Sequence, residues 1–152
     1  MQLFLCIVSI LSAQEEELIM NIFSFTLSTG SEGFYDITSM VNDAIKTVKA
    51  ESGICVIYTP HTTAAITINE NADPDVKRDL TFALSKVSPD RPEFKHFEGN
   101  SAAHLKSSLF GCSETVIIDK GKLLLGTWQD IYFCEFDGPR TRKFYVKIIK
   151  DC

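Results

Sequence analysis

From Gly111 to the C terminus the chain reads as strand after strand. "ETVIID", a "KGK" turn, "LLLG", "TWQDIYFCEFDG" and "RKFYVKIIK" follow one another with only a few turn residues between them. Connections that short join antiparallel neighbours, because a parallel pair needs a crossover of a dozen or more residues. This third of the chain therefore predicts antiparallel sheet, and the helices elsewhere must pack against it.

The rest of the chain supplies those helices. "NIFSFTLST" alternates, with Phe23, Phe25 and Leu27 on one face, and predicts a half-buried strand. Gly30 and Gly33 bracket a turn. The spacing then turns helical: Ile37, Val41, Ala44, Ile45 and Val48 form one stripe, with Asp36 or Thr38 as cap and Gly53 as the C-terminal stop. "ICVIYT" predicts a buried strand that Pro60 interrupts, and "TTAAITINE" resumes it. Asp73 as N-cap and Pro74 at the first helical position open a second helix, with Val76, Leu80, Ala83, Leu84 and Val87 as its buried face. A loop from Ser88 to Gly99 leads into a short helix that Ser101 can cap and Gly111 ends. The expected order is β-α-β-β-α-loop-α-β-β-β-β, an α+β fold without repeats or linkers.

The 152 residues make one domain. A domain of that size buries roughly 70% of its unfolded surface and needs no crosslinks. The formal charge of −5 argues against a dedicated nucleic-acid binder, which wants a basic surface. The five cysteines form no CxxC pair, and Cys55 and Cys134 fall inside apolar strands, which favours a reducing, cytoplasmic setting. The apolar run "LFLCIVSILSA" near the start has no Lys or Arg before it, lacks an A-x-A site and is too short to span a bilayer. Residues 1–19 are therefore expected to be an N-terminal extension ahead of a single domain over 20–152, with Met20 as a natural start. A cleaved signal is the lesser reading, and no membrane association is expected.

All three histidines stand in polar stretches: His61 in "YTPHTTAA", His96 and His104 in "FKHFEGNSAAHL". Each alone has an ordinary explanation: a partly buried strand-end ring, a solvated loop residue, a capping neighbour. Together they are candidates for a metal, since neutral imidazole is the commonest metal ligand and three of them hold Zn²⁺ with one position open. Their separations of 35 and 8 residues match no compact zinc motif, so the sequence does not force the rings together. Other polar clusters flank them. Asn69, Glu70, Asn71 and Asp73 leave a strand for a capped helix, and Trp128 and Gln129 follow Gly126. Glu135 lies mid-strand between Cys134 and Phe136, where a buried carboxylate requires a partner. Arg140 and Arg142 follow the Asp137-Gly138-Pro139 turn, either as solvated hairpin residues or as an anion pocket.

Three stretches carry a resemblance: "HTTAAITINENADPDV", "HFEGNSAAHLKSSLFG" and "GKLLLGTWQDIYFCEFDGPRTRK". In order and spacing, from about Asn21 to Lys150, the chain resembles the YjbQ family, also named secondary thiamine-phosphate synthases. The resemblance implies a two-sheet β-sandwich with helices outside, assembled as a homotrimer. It implies a metal pocket, apparently zinc, with His61, His96 and His104 as ligands. Glu70, Glu135 and Gln129 are the expected catalytic residues. Thr62, Asn69, Asn100, Trp128, Arg140 and Arg142 are the expected substrate contacts.

The implied reaction joins hydroxymethylpyrimidine diphosphate to a thiazole phosphate and releases pyrophosphate. Such substrates call for Mg²⁺ and basic groups on the leaving diphosphate. No Asp-rich diphosphate motif is present, and the usual (β/α)₈ barrel for this step is too long for 152 residues. Two alternatives stand beside it: a zinc hydrolase, and a trimer that binds metal or small phosphates without turnover.

Overall fold

The computed structural model describes residues 22–151, so the apolar N-terminal segment, Cys6 and Cys152 lie outside the described residues. Among the described residues eight strands form two antiparallel sheets. β1 (Ile22–Thr29), β3 (Ser52–Tyr58), β5 (Ser113–Asp119), β6 (Lys122–Leu123) and β8 (Arg140–Lys150) make one sheet in the order β1-β8-β3-β5-β6. β2 (Gly33–Asp36), β4 (Ala64–Glu70) and β7 (Gln129–Glu135) make the other, ordered β2-β7-β4. The described residues also form helices α1 (Thr38–Val48), α2 (Pro74–Val87) and α3 (Ser101–Phe110).

The inner faces of the two sheets share one core. Cys55, Ile57, Val116, Ile118, Phe144, Val146 and Ile148 meet Ala64, Ile66, Ile131 and Phe133 across it, and Ile37, Val41, Ala44 and Ile45 close one side. A second, smaller core lies on the other face of the short sheet. There Ala65, Tyr132, Cys134 and Phe136 are covered by Leu84 of α2 and Ala103 of α3, with Phe34 and Phe110 alongside. Strand β7 is thus buried on both faces, Ile131 and Phe133 toward the sandwich, Tyr132 and Cys134 under the helices. That is why its sequence is a continuous apolar run rather than an alternation. Burial pushes the Cys55 thiol up to about 12 and raises that of Cys134, so both are packing groups.

Most local expectations hold, and the departures have physical causes. The stripe of α1 is buried as expected. Its start is tied down by Asp36 Oδ1, which accepts from the Thr38 N–H at 2.9 Å, and by Ile37 N–H donating to Ile131 O. Its stop is Lys49, in the left-handed region at φ 51°, not Gly53. Gly53 instead lies inside β3 at φ 142°, where β8 passes so close that an added Cβ would stand 2.1 Å from Ile149 O. Asp73 caps α2 by accepting from Asp75 N–H, as its sequence predicts. Of the face expected to be buried, however, only Leu84 is, and Val87 stays 63% exposed. The reason is that α2 packs over β2, a four-residue strand too short to cover a longer stripe. β2 is a departure: Gly33, expected as the far edge of a turn that starts at Gly30, instead begins a four-residue strand paired with β7. "LLLG" contributes only Leu123 to a strand.

The outer face of the larger sheet carries an apolar row. Ile117, Ile54 and Ile149 are direct cross-strand neighbours on β5, β3 and β8, and all three are exposed. Tyr58 and Tyr145 stack beside them, ring centroids 6.4 Å apart. Among the described residues no helix is long and apolar enough to cross a membrane.

Because Phe133 bridges the two sheets, Phe133→Ala should cost about 3–5 kcal/mol of unfolding free energy. Val87→Ser, on the uncovered side of α2, should cost about 0.5 kcal/mol or less. Urea titrations of the two variants check the contrast.

Candidate functional site

Glu135 ends β7 fully buried, and it has the partner that its position requires. Arg142, itself 5% exposed, grips it with both ends of its fork: Nε to Oε2 at 2.7 Å and Nη2 to Oε1 at 2.6 Å. Thr29 Oγ1 donates to Oε2 at 2.7 Å and the Asp137 N–H to Oε1 at 2.8 Å. Arg142 Nη2 also donates to Thr63 Oγ1 at 2.9 Å. Burial alone would push the Glu135 carboxyl up, but these hydrogen bonds and the Arg142 charge hold it below the usual carboxylate range. A base must have a lone pair to offer a proton, and here both oxygens are occupied by donors.

The turn after β7 extends the network. Asp137 accepts at Oδ2 from Asn100 Nδ2 at 3.0 Å and from Arg140 Nη2 at 2.7 Å. Burial raises the Asp137 carboxyl, and those bonds together with the arginine charges bring it down past its ordinary value. Gly138 makes this turn possible, because a Cβ there would lie 2.0 Å from Gly30 O and 2.9 Å from Glu135 Cγ. Arg140 remains about half exposed, with its guanidinium at the surface.

His61 lies just past the Pro60 break, and its Nε2 accepts the Lys143 backbone N–H at 2.8 Å. The ring does for β8 what the next carbonyl of β3 would have done had the ladder continued beyond Tyr58. A ring that accepts at Nε2 and is neutral carries its proton on Nδ1. Burial and then the nearby Arg142 charge lower the His61 pKa, with Glu135 opposing, so the neutral donor form is favoured.

His96 and His104 form a separate pair, ring centroids 5.0 Å apart and nearly perpendicular. With Ser101 they line an open cavity of about 260 Å³. Phe97, beside His96, projects fully into solvent. Among the described residues no group of three or more His, Cys, Asp and Glu side chains converges as a metal site within one chain.

The expected site residues therefore fall into groups. Glu135, Arg142, Arg140 and Asn100 are joined through one hydrogen-bond network; His61 stands outside its bonds but near enough to feel the Arg142 and Glu135 charges. The His96–His104 pair adjoins the network in sequence through Asn100 and Ser101. Glu70, Asn69, Gln129 and Trp128 are at the other end of the short sheet. In register, Glu70 faces Gln129 while Ala64 faces Glu135, and six residues of strand are about 20 Å. There Gln129 Oε1 closes the Gly126 turn at 2.8 Å, and Trp128 is 62% exposed. Asn71 holds that end together, donating to Asp36 and Asp130 and accepting from Lys77. Thr62 is exposed, whereas its neighbour Thr63 is buried and reaches Arg142. Thr29, Thr63, Lys106 and Glu32 belong to the surroundings of the site and were not singled out. For the threonines the signal was available, since a buried Glu–Arg pair needs further hydrogen-bond partners.

Removing one member of the buried pair should be severe: Glu135→Gln is expected to cost about 3–5 kcal/mol. Glu135 and Asp137 bind protons less readily in the folded chain than in the unfolded one. Their contribution is complete above about pH 4–4.5 and is lost as pH falls through their depressed values. Asp137→Asn should therefore flatten the acid limb of a plot of urea midpoint against pH.

The same architecture recurs in known proteins. The family model described as UPF0047 protein YjbQ-like matches residues 23–151. The UPF0047 protein MJ1081 of Methanocaldococcus jannaschii is 58% identical over 131 residues, 86% of this chain and 95% of that protein. The UPF0047 protein YugU of Bacillus subtilis is 53% identical, over 80% of this chain and 93% of its own. A crystal structure of an uncharacterised YjbQ/UPF0047 protein from Clostridium acetobutylicum superposes with a TM-score of 0.82 at 55% identity, covering 84% of this chain and 99% of that one. The conserved hypothetical protein TT1486 of Thermus thermophilus gives 0.79 at 41% identity, over 84% and 99%. By sequence across nearly all its described length, and by fold, the chain belongs to the YjbQ/UPF0047 family.

Proposed function

We propose that the chain is a homotrimeric, cytoplasmic enzyme acting on small phosphorylated molecules, in the manner of the secondary thiamine-phosphate synthases. The observation that carries this reading is the set of fixed hydrogen-bond donors around a carboxylate that is already engaged. Neutral His61 offers Nδ1–H beside the buried Arg142, and Arg140 adds an exposed guanidinium. In the implied transfer, the thiazole nitrogen attacks with a lone pair and carries no proton. A C–N bond forms, the C–O bond to the diphosphate breaks, and pyrophosphate leaves with the bonding electrons. Such a step needs no general base. It needs positive charge and donors on the departing oxygens, which suits a site whose carboxylates are paired. Mg²⁺ would arrive with the diphosphate substrate.

Zinc fits one chain poorly. His61 has its Nε2 on a backbone amide, and the His96–His104 pair alone is two ligands short of a tetrahedral centre. A second copy of the chain is the natural source of further donors, and the exposed Ile117–Ile54–Ile149 row supports assembly. Ile54→Glu should reduce the mass seen by light scattering to that of one chain while leaving the far-ultraviolet circular dichroism intact.

A second reading, a binding trimer without turnover, draws on the same engaged Glu135, which leaves no free base for hydrolysis next to His61. The two part on one assay. With hydroxymethylpyrimidine diphosphate, thiazole phosphate and Mg²⁺, the enzyme reading expects pyrophosphate release above the protein-free control, and at least a tenfold rise in KM for Arg140→Ala. Tight binding of either phosphate with no release would establish the second reading instead.

A further inference from the structure

On the side of α3 away from the histidine pair lies a polar cavity of about 150 Å³, lined by Glu32, Asp90, Asn100, Lys106, Phe136 and Asp137 among others. That is room for a few waters or one small organic group. Three carboxylates line it; Glu32 is paired with Lys106 and Asp137 with Arg140, which leaves Asp90 as the lining carboxylate without an ion pair among the described residues. Lys106, with a side chain only 6% exposed, gives its Nζ to both oxygens of Glu32 at 2.7 and 2.9 Å, so its charge is already matched.

Asn100 determines what the cavity accepts. Its Nδ2 donates to Asp137 Oδ2 at 3.0 Å and toward Glu98 Oε2 at 3.5 Å. Both partners are ionised acceptors, so the amide cannot be turned round, and Oδ1 is fixed as an acceptor. That oxygen is buried, and among the described residues no donor reaches it. An asparagine preceding a helix ordinarily aims this oxygen at a first-turn N–H of its own helix, and here it does not. A second acceptor belongs to another residue lining the same cavity. The side-chain donors that reach the Asp137 carboxylate all land on Oδ2, which leaves Oδ1 open among the described residues. Asp90, exposed at the cavity, adds a third carboxylate. Two open acceptor oxygens and the carboxylate of Asp90 call for the same complement.

We propose that this cavity is a binding site for a small cation rich in N–H donors, of the amidinium, guanidinium or primary ammonium class. Asn100 Oδ1 and Asp137 take its hydrogen bonds, and Asp90 balances its charge. The site shares Asn100 and Asp137 with the network described above, but it draws on their acceptor oxygens rather than on the arginines, and its test involves no phosphate.

Acetamidinium, acetamide and acetate share one shape and differ in donors and charge, so they discriminate the chemistry directly. In a ¹H–¹⁵N NMR titration of the full chain, acetamidinium is expected to shift the amide signals of residues 99–103 and 137 saturably. Acetamide should bind more weakly and acetate weakest of all. Asn100→Ala should weaken acetamidinium at least fivefold. Asp90→Asn, at an exposed position that does not threaten folding, should weaken it at least threefold. Acetate binding as well as acetamidinium would overturn the proposal. So would an acetamidinium titration that moves none of these signals, the mark of a cavity that holds only water, or unchanged affinity in both variants.

Discussion

The buried pairing of Glu135 with Arg142 organises one whole end of this molecule. A carboxylate taken out of water is tolerated only when its lone pairs are filled and its charge is met. Filling them draws in Thr29 from the end of β1, the backbone of the β7–β8 turn and, through Arg142, Thr63 at the start of β4. Three segments distant in sequence, at Thr29, at Thr63 and over 135–142, are thus held at one point. The positions of Asp137, Arg140, Asn100 and His61 follow from that point.

Ionic pairing of this kind adds little net stability over a well-packed apolar core, but it is geometrically exacting. A fork-on-carboxylate contact fixes distance, plane and register at once. The two cores beneath it are built from aliphatic and aromatic side chains that tolerate exchange more readily. Precision in this fold is therefore concentrated at the polar end, while cohesion comes from the sandwich.

The sequence made the elements legible because their periods are clean. The alternation of β1, the stripe of α1 and the Asp73–Pro74 start of α2 each follow from one residue's local chemistry. What could not be read was pairing. Gly53 looks like a helix stop because glycine suits left-handed backbone, yet the demand on it comes from Ile149, almost a hundred residues away. Likewise the motifs suggested a single site, whereas strand register puts Gln129 and Glu135 about 20 Å apart on β7. Glu135's need for a partner was visible in its apolar setting. That the partner is Arg142 and not Arg140 could not be read from alternation, which turns residues 140 and 142 to one face; the first lies at the exposed beginning of β8 and only the second is buried against Glu135.

His61 illustrates how a single ring joins scaffold and site. Its Nε2 completes the hydrogen bonding of a main-chain amide at the point where the ladder between β3 and β8 runs out. Any electrophile that claims that lone pair, whether proton or metal ion, must strand the amide of Lys143. Loading the imidazole and fraying the strand would then be two faces of one equilibrium, visible as faster hydrogen exchange at a single backbone position near the start of β8.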